Sequence, residues 1–172
     1  LNEGASGLES FTSIPLDIFQ VAVSEKRMAP FKLTVKGTPG HGSKPTVDNP
    51  IVHLVEACEK LVSWKRDLDI SEQNTLPVRT LADKSLINKD FDFKKLRQDG
   101  LMSPDMEAGL TNTINLTIFN SGFKFNVIPG SAEALFDCRL LPETDLGDWQ
   151  AQVESQINDD RIVFSYALEE VP

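Results

Sequence analysis

Two stretches of strict alternation constrain this chain more than any other feature. In "FKLTVKG", Phe31, Leu33 and Val35 fall on one face and Lys32, Thr34 and Lys36 on the other. In "SAEALFDCRL", Ala132, Ala134, Phe136, Cys138 and Leu140 share a face, opposite Glu133, Leu135, Asp137 and Arg139. A period of two with one polar face marks a half-buried strand, and such strands belong to a sheet covered on one side. Between and after them lie two stretches of helical period. Asn49 and Pro50 supply N-cap and first-turn chemistry for a stripe of Ile51, Leu54, Val55, Cys58, Leu61 and Val62. After "LPET", a second stripe carries Leu146, Trp149, Val153 and Ile157. "TINLTIF" alternates too, with Ile114, Leu116 and Ile118 expected inward, "NSG" signals a turn, and "RIVFSYAL" reads as a final strand. From Phe31 the order is β-α-β-β-α-β. That is the split βαβ order, and it predicts an α+β, ferredoxin-like two-layer sandwich. Its sheet is expected to be four-stranded and antiparallel, with both helices on one face.

Two segments fall outside that unit. Residues 65–110 are polar, charged and broken by prolines. They read as an insertion after the first helix, with short helices around 81–86 and 91–98, because a structureless loop of that length is uncommon. Residues 1–16 are loop-like, and the apolar run Ile18–Val23 is of strand type but has no place in the unit. That run is assigned to a neighbouring domain, which should leave exposed apolar surface around Leu1–Val23. The chain opens on "LNEGASG" without an initiator Met and reads as a cut from a longer protein.

A net charge of −9 disfavours nucleic acid and anionic membrane surfaces as partners, since both require clustered Lys and Arg. No apolar run approaches the roughly 18 residues of a membrane-spanning helix. Cys58 and Cys138 sit among apolar neighbours and read as small core residues.

Three polar residues at loops and strand ends are the candidates for chemistry. His41 lies in "GTPGHGSKP", a loop whose glycines permit close approach to a ligand. A histidine there can donate to an oxyanion; the ordinary alternative is a surface loop residue. Asn126 precedes the turn "VIPG", and the alternative is a turn residue bonding its own backbone. Arg139 offers a guanidinium fork for a carboxylate; the alternative is a salt-bridged strand face shared with Asp137. The second histidine, His53, falls off the apolar stripe and reads as a solvated helix-face residue.

Taken in order, "GHGSKP", "NVIPG" and "FDCRLLP" resemble the G-H-x-S-x-P, N-V-[IV]-P and D-x-R-x-x-P motifs of one domain. It is the lid, or dimerisation, domain of the di-zinc aminoacylase and carboxypeptidase family. The resemblance covers residues 29–168 and is strongest to the carboxypeptidase S and N-acyl-amino-acid hydrolase branch. It implies a lid/dimerisation domain over 29–170, preceded at 1–28 by a piece of the zinc catalytic domain and its crossing segment. It implies a parent hydrolase that cleaves amide bonds of peptides or N-acyl amino acids. In that family two zinc ions sit in the catalytic domain, the lid histidine stabilises the oxyanion, often from the partner subunit, and the lid must close. By resemblance His41 takes the oxyanion role, Asn126 helps bind the substrate amide or the intermediate, and Arg139 grips the substrate carboxylate. Glu3, in "LNEGA", takes the place of one zinc ligand. The other metal ligands and the general base have no counterpart, so this stretch alone is expected to bind no zinc pair and to be inactive. The implied partners are its own catalytic domain and a second copy of the chain, paired through a helix and an edge strand. Two departures leave substrate detail open: Ser121-Gly122 stands where Gly-Gly is usual, and "NEGA" where "DEGG" is usual. A reading from another class is a free-standing ferredoxin-like module that senses a small molecule.

Overall fold

The structure, a computed structural model, describes residues 25–83 and 92–167. In chain order the elements are β1 (Arg27–Met28), β2 (Phe31–Lys36), β3 (Gly40–His41), α1 (Pro50–Val62), α2 (Glu72–Asp83) and α3 (Phe93–Gln98). There follow α4 (Pro104–Leu110), β4 (Thr113–Ser121), β5 (Val127–Ile128), β6 (Ser131–Leu140), α5 (Leu146–Ile157) and β7 (Ile162–Tyr166). They form two compact units, one of residues 27–66 and 112–167 and one of 25–26, 67–83 and 92–111.

The first unit is the expected sandwich. Its long strands lie in the order β7–β2–β6–β4, every pair antiparallel. Short β1 continues the line of β2 along β6, pairing Arg27 with Leu140 and Met28 with Arg139. The alternation in β2 and β6 sends Phe31, Leu33, Val35, Ala132, Ala134, Phe136, Cys138 and Leu140 to one face, all buried. Both helices cover that face. Leu54, Ala57, Cys58 and Leu61 of α1, with Trp149, Val153 and Ile157 of α5, complete one core. Phe31 stacks on Phe136 with centroids 4.9 Å apart, and Trp149 on Trp64 at 5.5 Å. Removing a fully buried aromatic such as Trp149 would cost about 3–5 kcal/mol. Burial pushes the Cys58 thiol up to about 11, which fits an inert core residue.

The helix starts follow local chemistry. Asn49 Oδ1 accepts the Ile51 N–H at 3.0 Å with Pro50 in the first turn, as expected. Asp145 caps α5 through the N–H groups of Gly147 and Asp148.

Three side-chain expectations are corrected. The buried side of α1 is Pro50, His53, Leu54, Ala57, Cys58 and Leu61, while Val55 and Val62 are exposed. Packing against both the sheet and α5 rotates the covered face toward His53, which is 4% exposed rather than solvated. On β4, Ile114 is buried but Leu116 and Ile118 are exposed. The register slips at Thr117, so Ile118 pairs with outward Leu135. One extra residue in a strand reverses the facing of everything after it. Leu116 keeps its inner-face register opposite Phe136, but on an edge strand no neighbour covers it from outside.

The second unit is small and helical. α3 lies where a short helix was expected; α2 runs earlier than the helix expected around 81–86 and overlaps it only at 81–83, while 84–91 lie outside the described residues. Asp92 and Ser103 cap α3 and α4. Arg97 pairs with Glu107 at 2.6 Å, and Lys26 Nζ donates to the carbonyls of Ala108 and Thr111. The strand expected over Ile18–Val23, and the apolar surface expected there, lie outside the described residues.

Candidate functional site

His41 sits at the end of β3, exposed, in a loop that leaves β2 at Gly37. Its ring is oriented by the turn that follows. The Ser43 N–H donates to Nδ1 at 3.2 Å, and the Ser43 hydroxyl lies 2.8 Å from the same nitrogen. A nitrogen that accepts a backbone N–H carries no proton, so in the neutral ring the proton is on Nε2. No protein atom takes Nε2 in a hydrogen bond among the described residues, which leaves one N–H donor facing outward.

Asn126 is brought to the same place from a distant part of the chain. β3 pairs with β5, Gly40 opposite Ile128 and His41 opposite Val127. Gly42 N–H donates to the Asn126 carbonyl at 2.8 Å. The approach there favours glycine, since a Cβ on Gly42 would stand 3.3 Å from that carbonyl group and push it by a few tenths of an ångström. The Asn126 side-chain Oδ1 is buried and has no hydrogen-bond partner among the described residues. An unsatisfied buried acceptor costs about 1–3 kcal/mol, so it calls for a function or an absent partner. At the tip of the same hairpin Phe123 and Phe125 are 83% and 99% exposed. A groove lined by Lys36, Ser121, Phe123, Gly130, Glu133 and Arg161 runs over the uncovered sheet face nearby.

Arg139 is not brought there. It lies on β6 opposite Met28 and Thr113. Ser131, at the near end of β6, is eight positions away, about 26 Å at the usual rise of a strand. Its guanidinium forks onto Asp137, Nε to Oδ1 at 2.8 Å and Nη2 to Oδ2 at 3.2 Å. That pair holds the Arg139 pKa above the ordinary arginine value.

Sequence reading missed Ser43 as a ring-orienting residue, and it missed the partners of His53. The available signal was Thr38 and Asp48 bracketing a Gly- and Pro-rich loop. Glu3 lies outside the described residues. Among the described residues no group of three or more His, Cys, Asp and Glu converges, so they do not fit a zinc centre. No helix among them is long and apolar enough to cross a membrane.

The antiparallel sheet, covered on one face, thus carries the histidine loop at one end and Arg139 toward the other. The family comparison agrees with that architecture. The peptidase dimerisation domain of the M20 family matches residues 23–162, and the chain belongs to that family. It is 28% identical to pig (Sus scrofa) aminoacylase-1 over 86% of this chain and 29% of that protein. It is 30% identical to the probable carboxypeptidase S-like 2 of Dictyostelium discoideum, over 90% of this chain and 31% of that one. It is 28% identical to the mouse (Mus musculus) N-fatty-acyl-amino acid synthase/hydrolase PM20D1, over 94% and 34%. The chain thus spans about a third of the length of these curated relatives. Among solved structures, the M20 family metallo-carboxypeptidase Sso-CP2 from Sulfolobus solfataricus aligns with a TM-score of 0.54, at 19% identity, over 93% of this chain and 46% of that one. At that identity the likeness speaks for the fold alone.

Proposed function

We propose that this chain is the lid and dimerisation domain of a zinc-dependent hydrolase that cleaves amide bonds of peptides or N-acyl amino acids. The zinc ions of this reading belong to a catalytic domain beyond the described residues, which contribute binding and hydrogen bonds only. His41 Nε2–H donates to the negative charge developing on the scissile carbonyl oxygen. Asn126 receives the substrate amide through the side-chain oxygen that has no partner among the described residues. Arg139 takes the substrate carboxylate, exchanging its fork with Asp137 for one with the ligand. The observation that carries the reading is the outward Nε2–H of His41, fixed by Ser43 and joined by a strand ladder to the Asn126 segment.

The separation of Arg139 from that loop supports assembly. An extended dipeptide spans only about 7 Å, so one substrate does not reach His41 and Arg139 of a single lid. Two copies paired through their lids supply them from different subunits. Two surfaces suit such pairing. Val52, Val55 and Val62 form an exposed apolar stripe on the outer side of α1. Among the described residues β4 pairs with β6 alone, and its other edge has no strand partner. A free-standing sensor module, the reading from another class, has no support in the family match.

The test is His41→Ala in the full-length protein, assayed on N-acyl amino acids and dipeptides with zinc content measured on the same samples. The expected result is a fall in kcat of about a hundredfold or more with zinc retained. Near-normal kcat would overturn the reading.

A further inference from the structure

The loop that carries His41 is closed at its neck. Thr38 N–H donates to the Asp48 carbonyl at 3.2 Å, and the Thr38 hydroxyl donates to Asp48 Oδ2 at 2.6 Å. Gly37 packs against the same point, so tightly that a Cβ would stand 2.7 Å from the Asp48 carbonyl oxygen and from Pro50 Cδ. The Asp48 carboxyl is held below its ordinary value, chiefly by the Thr38 hydroxyl.

Behind Asp48 lies His53, in the first turns of α1. Its Nε2 is 3.0 Å from Arg161 Nη1 and 3.4 Å from Asp48 Oδ1. A guanidinium only donates, so at the shorter distance Nε2 is the acceptor and the ring proton sits on Nδ1. That places the Arg161 charge beside Asp48. Arg161 is fixed in turn by Asp159, Nε to Oδ1 at 2.8 Å and Nη2 to Oδ2 at 2.6 Å. Nε2 does not bond the Asp48 carboxylate in this tautomer; the attraction on Asp48 comes from the Arg161 charge, which His53 orients, so Asp159–Arg161–Asp48–Thr38 runs from the turn before β7, past the start of α1, into the neck of the loop. Within the loop, the Asp48 N–H also donates to the Thr46 hydroxyl at 3.1 Å and the Lys44 N–H to the His41 carbonyl at 2.8 Å. Beyond the neck the loop is tied by the two-residue ladder of β3 with β5, the Gly42–Asn126 bond and its own turn at Ser43. Most of residues 40–48 are exposed. Packing alone does not account for a polar ring at this position, because an apolar residue would fill it without the cost of burying nitrogens.

We infer that His53 is a positioning residue that acts through Arg161: by accepting from the guanidinium it keeps the Arg161 charge beside Asp48, and that charge holds Asp48 and with it the neck of the 38–48 loop, so that His41 is presented in one place. This rests on the reading of His41 as the oxyanion donor. Such a donor must be in place before reaction, and a misplacement of about 1 Å costs up to about a hundredfold in rate.

The experiment uses the full-length protein with His53→Ala, His53→Gln, His41→Ala and the double variant. Amide exchange is followed by mass spectrometry, and kcat and KM are measured on an N-acyl amino acid. In His53→Ala, exchange in peptides covering 37–48 should rise about tenfold while β2 and β6 stay protected. kcat should fall about ten- to hundredfold with KM little changed. His53→Gln, whose side-chain oxygen can accept from Arg161, should recover most of both. With His41 already replaced, His53→Ala should cost nothing more, because a residue that acts through another is silent once that one is gone. Unchanged exchange over 37–48 overturns the inference, and so do losses that multiply in the double variant. A loosened loop with a silent His41→Ala supports the neck and overturns the role given to His41. If His53→Ala does not fold, Arg161→Gln breaks the same chain of contacts from the half-exposed side and must loosen the same peptides.

Discussion

His41 divides its two ring nitrogens between the fold and the solvent. Nδ1 is taken by Ser43, and Nε2 is free to act on a ligand. The Ser43 hydroxyl gives the shorter of the two contacts, 2.8 Å against 3.2 Å for the backbone N–H. Ser43→Ala keeps the weaker bond and should therefore weaken the tautomer preference without abolishing it. A neutral hydrogen bond is worth about 1 kcal/mol, so kcat should fall about fivefold. Nitrogen NMR of the His41 ring would show the Nε2–H form in the parent and a mixture in the variant; an Nδ1–H ring in the parent would defeat the argument. At this scale the residues that could be read from sequence were those with local signatures. Asn49 as a cap, and Cys58 and Cys138 as core thiols, needed only their neighbours in the chain. His53 did not fit that method. A periodicity count scores apolar residues, and the partner that makes its burial tolerable, Arg161, is 108 positions away.

At the scale of elements, β2, β6 and the edge strand β7 kept their alternation and the edge strand β4 did not. β2 and β6 each have neighbours on two sides, which fixes which residues face the helices. Among the described residues β4 has one neighbour, and a slip at Thr117 turns its second half over. No pattern within "TINLTIF" encodes that slip, because a bulge is a property of the pair. The turn between α5 and β7 carries a further prediction. Asn158 ends α5 in the left-handed conformation, and Asp159 then binds Arg161 with both oxygens. The Arg161 bonds, first among the causes, depress the Asp159 carboxyl from 3.8 to about 2. A carboxyl depressed in the folded state adds stability that is complete above its unfolded pKa of about 4 and is lost as pH falls toward 2. Asp159→Asn lacks that contribution at every pH. Denaturant midpoints of parent and variant should therefore differ most at pH 5 and above and converge between about pH 4 and 2. A gap that stays constant through that range would show that the pair contributes no proton-linked stability.

For the molecule as a whole, the two motifs that meet and the one that does not point to the same arrangement. "GHGSKP" and "NVIPG" are far apart in sequence, yet β3 and β5 join them directly. Arg139 ends up at the far end of β6. Resemblance named all three residues, but only the fold separates them, since motif order says nothing about which end of a sheet each reaches. If every active site takes Arg139 from one subunit and His41 from the other, two inactive proteins can repair each other. His41→Ala and Arg139→Ala homodimers each lack one group in both sites. After subunit exchange, random pairing makes about half of the dimers mixed, each with one site holding both native residues and one holding neither, so about a quarter of the parent activity should return. In a mixed dimer whose sites draw both residues from one chain, each site still lacks one group and nothing returns. Mixing the two variants under conditions that exchange subunits, and reading activity against mixed-dimer content by mass spectrometry, separates these outcomes. Charged residues at Val52 and Val55 should block the recovery by preventing pairing. Recovery that survives them would move the interface away from α1 while leaving the shared site intact.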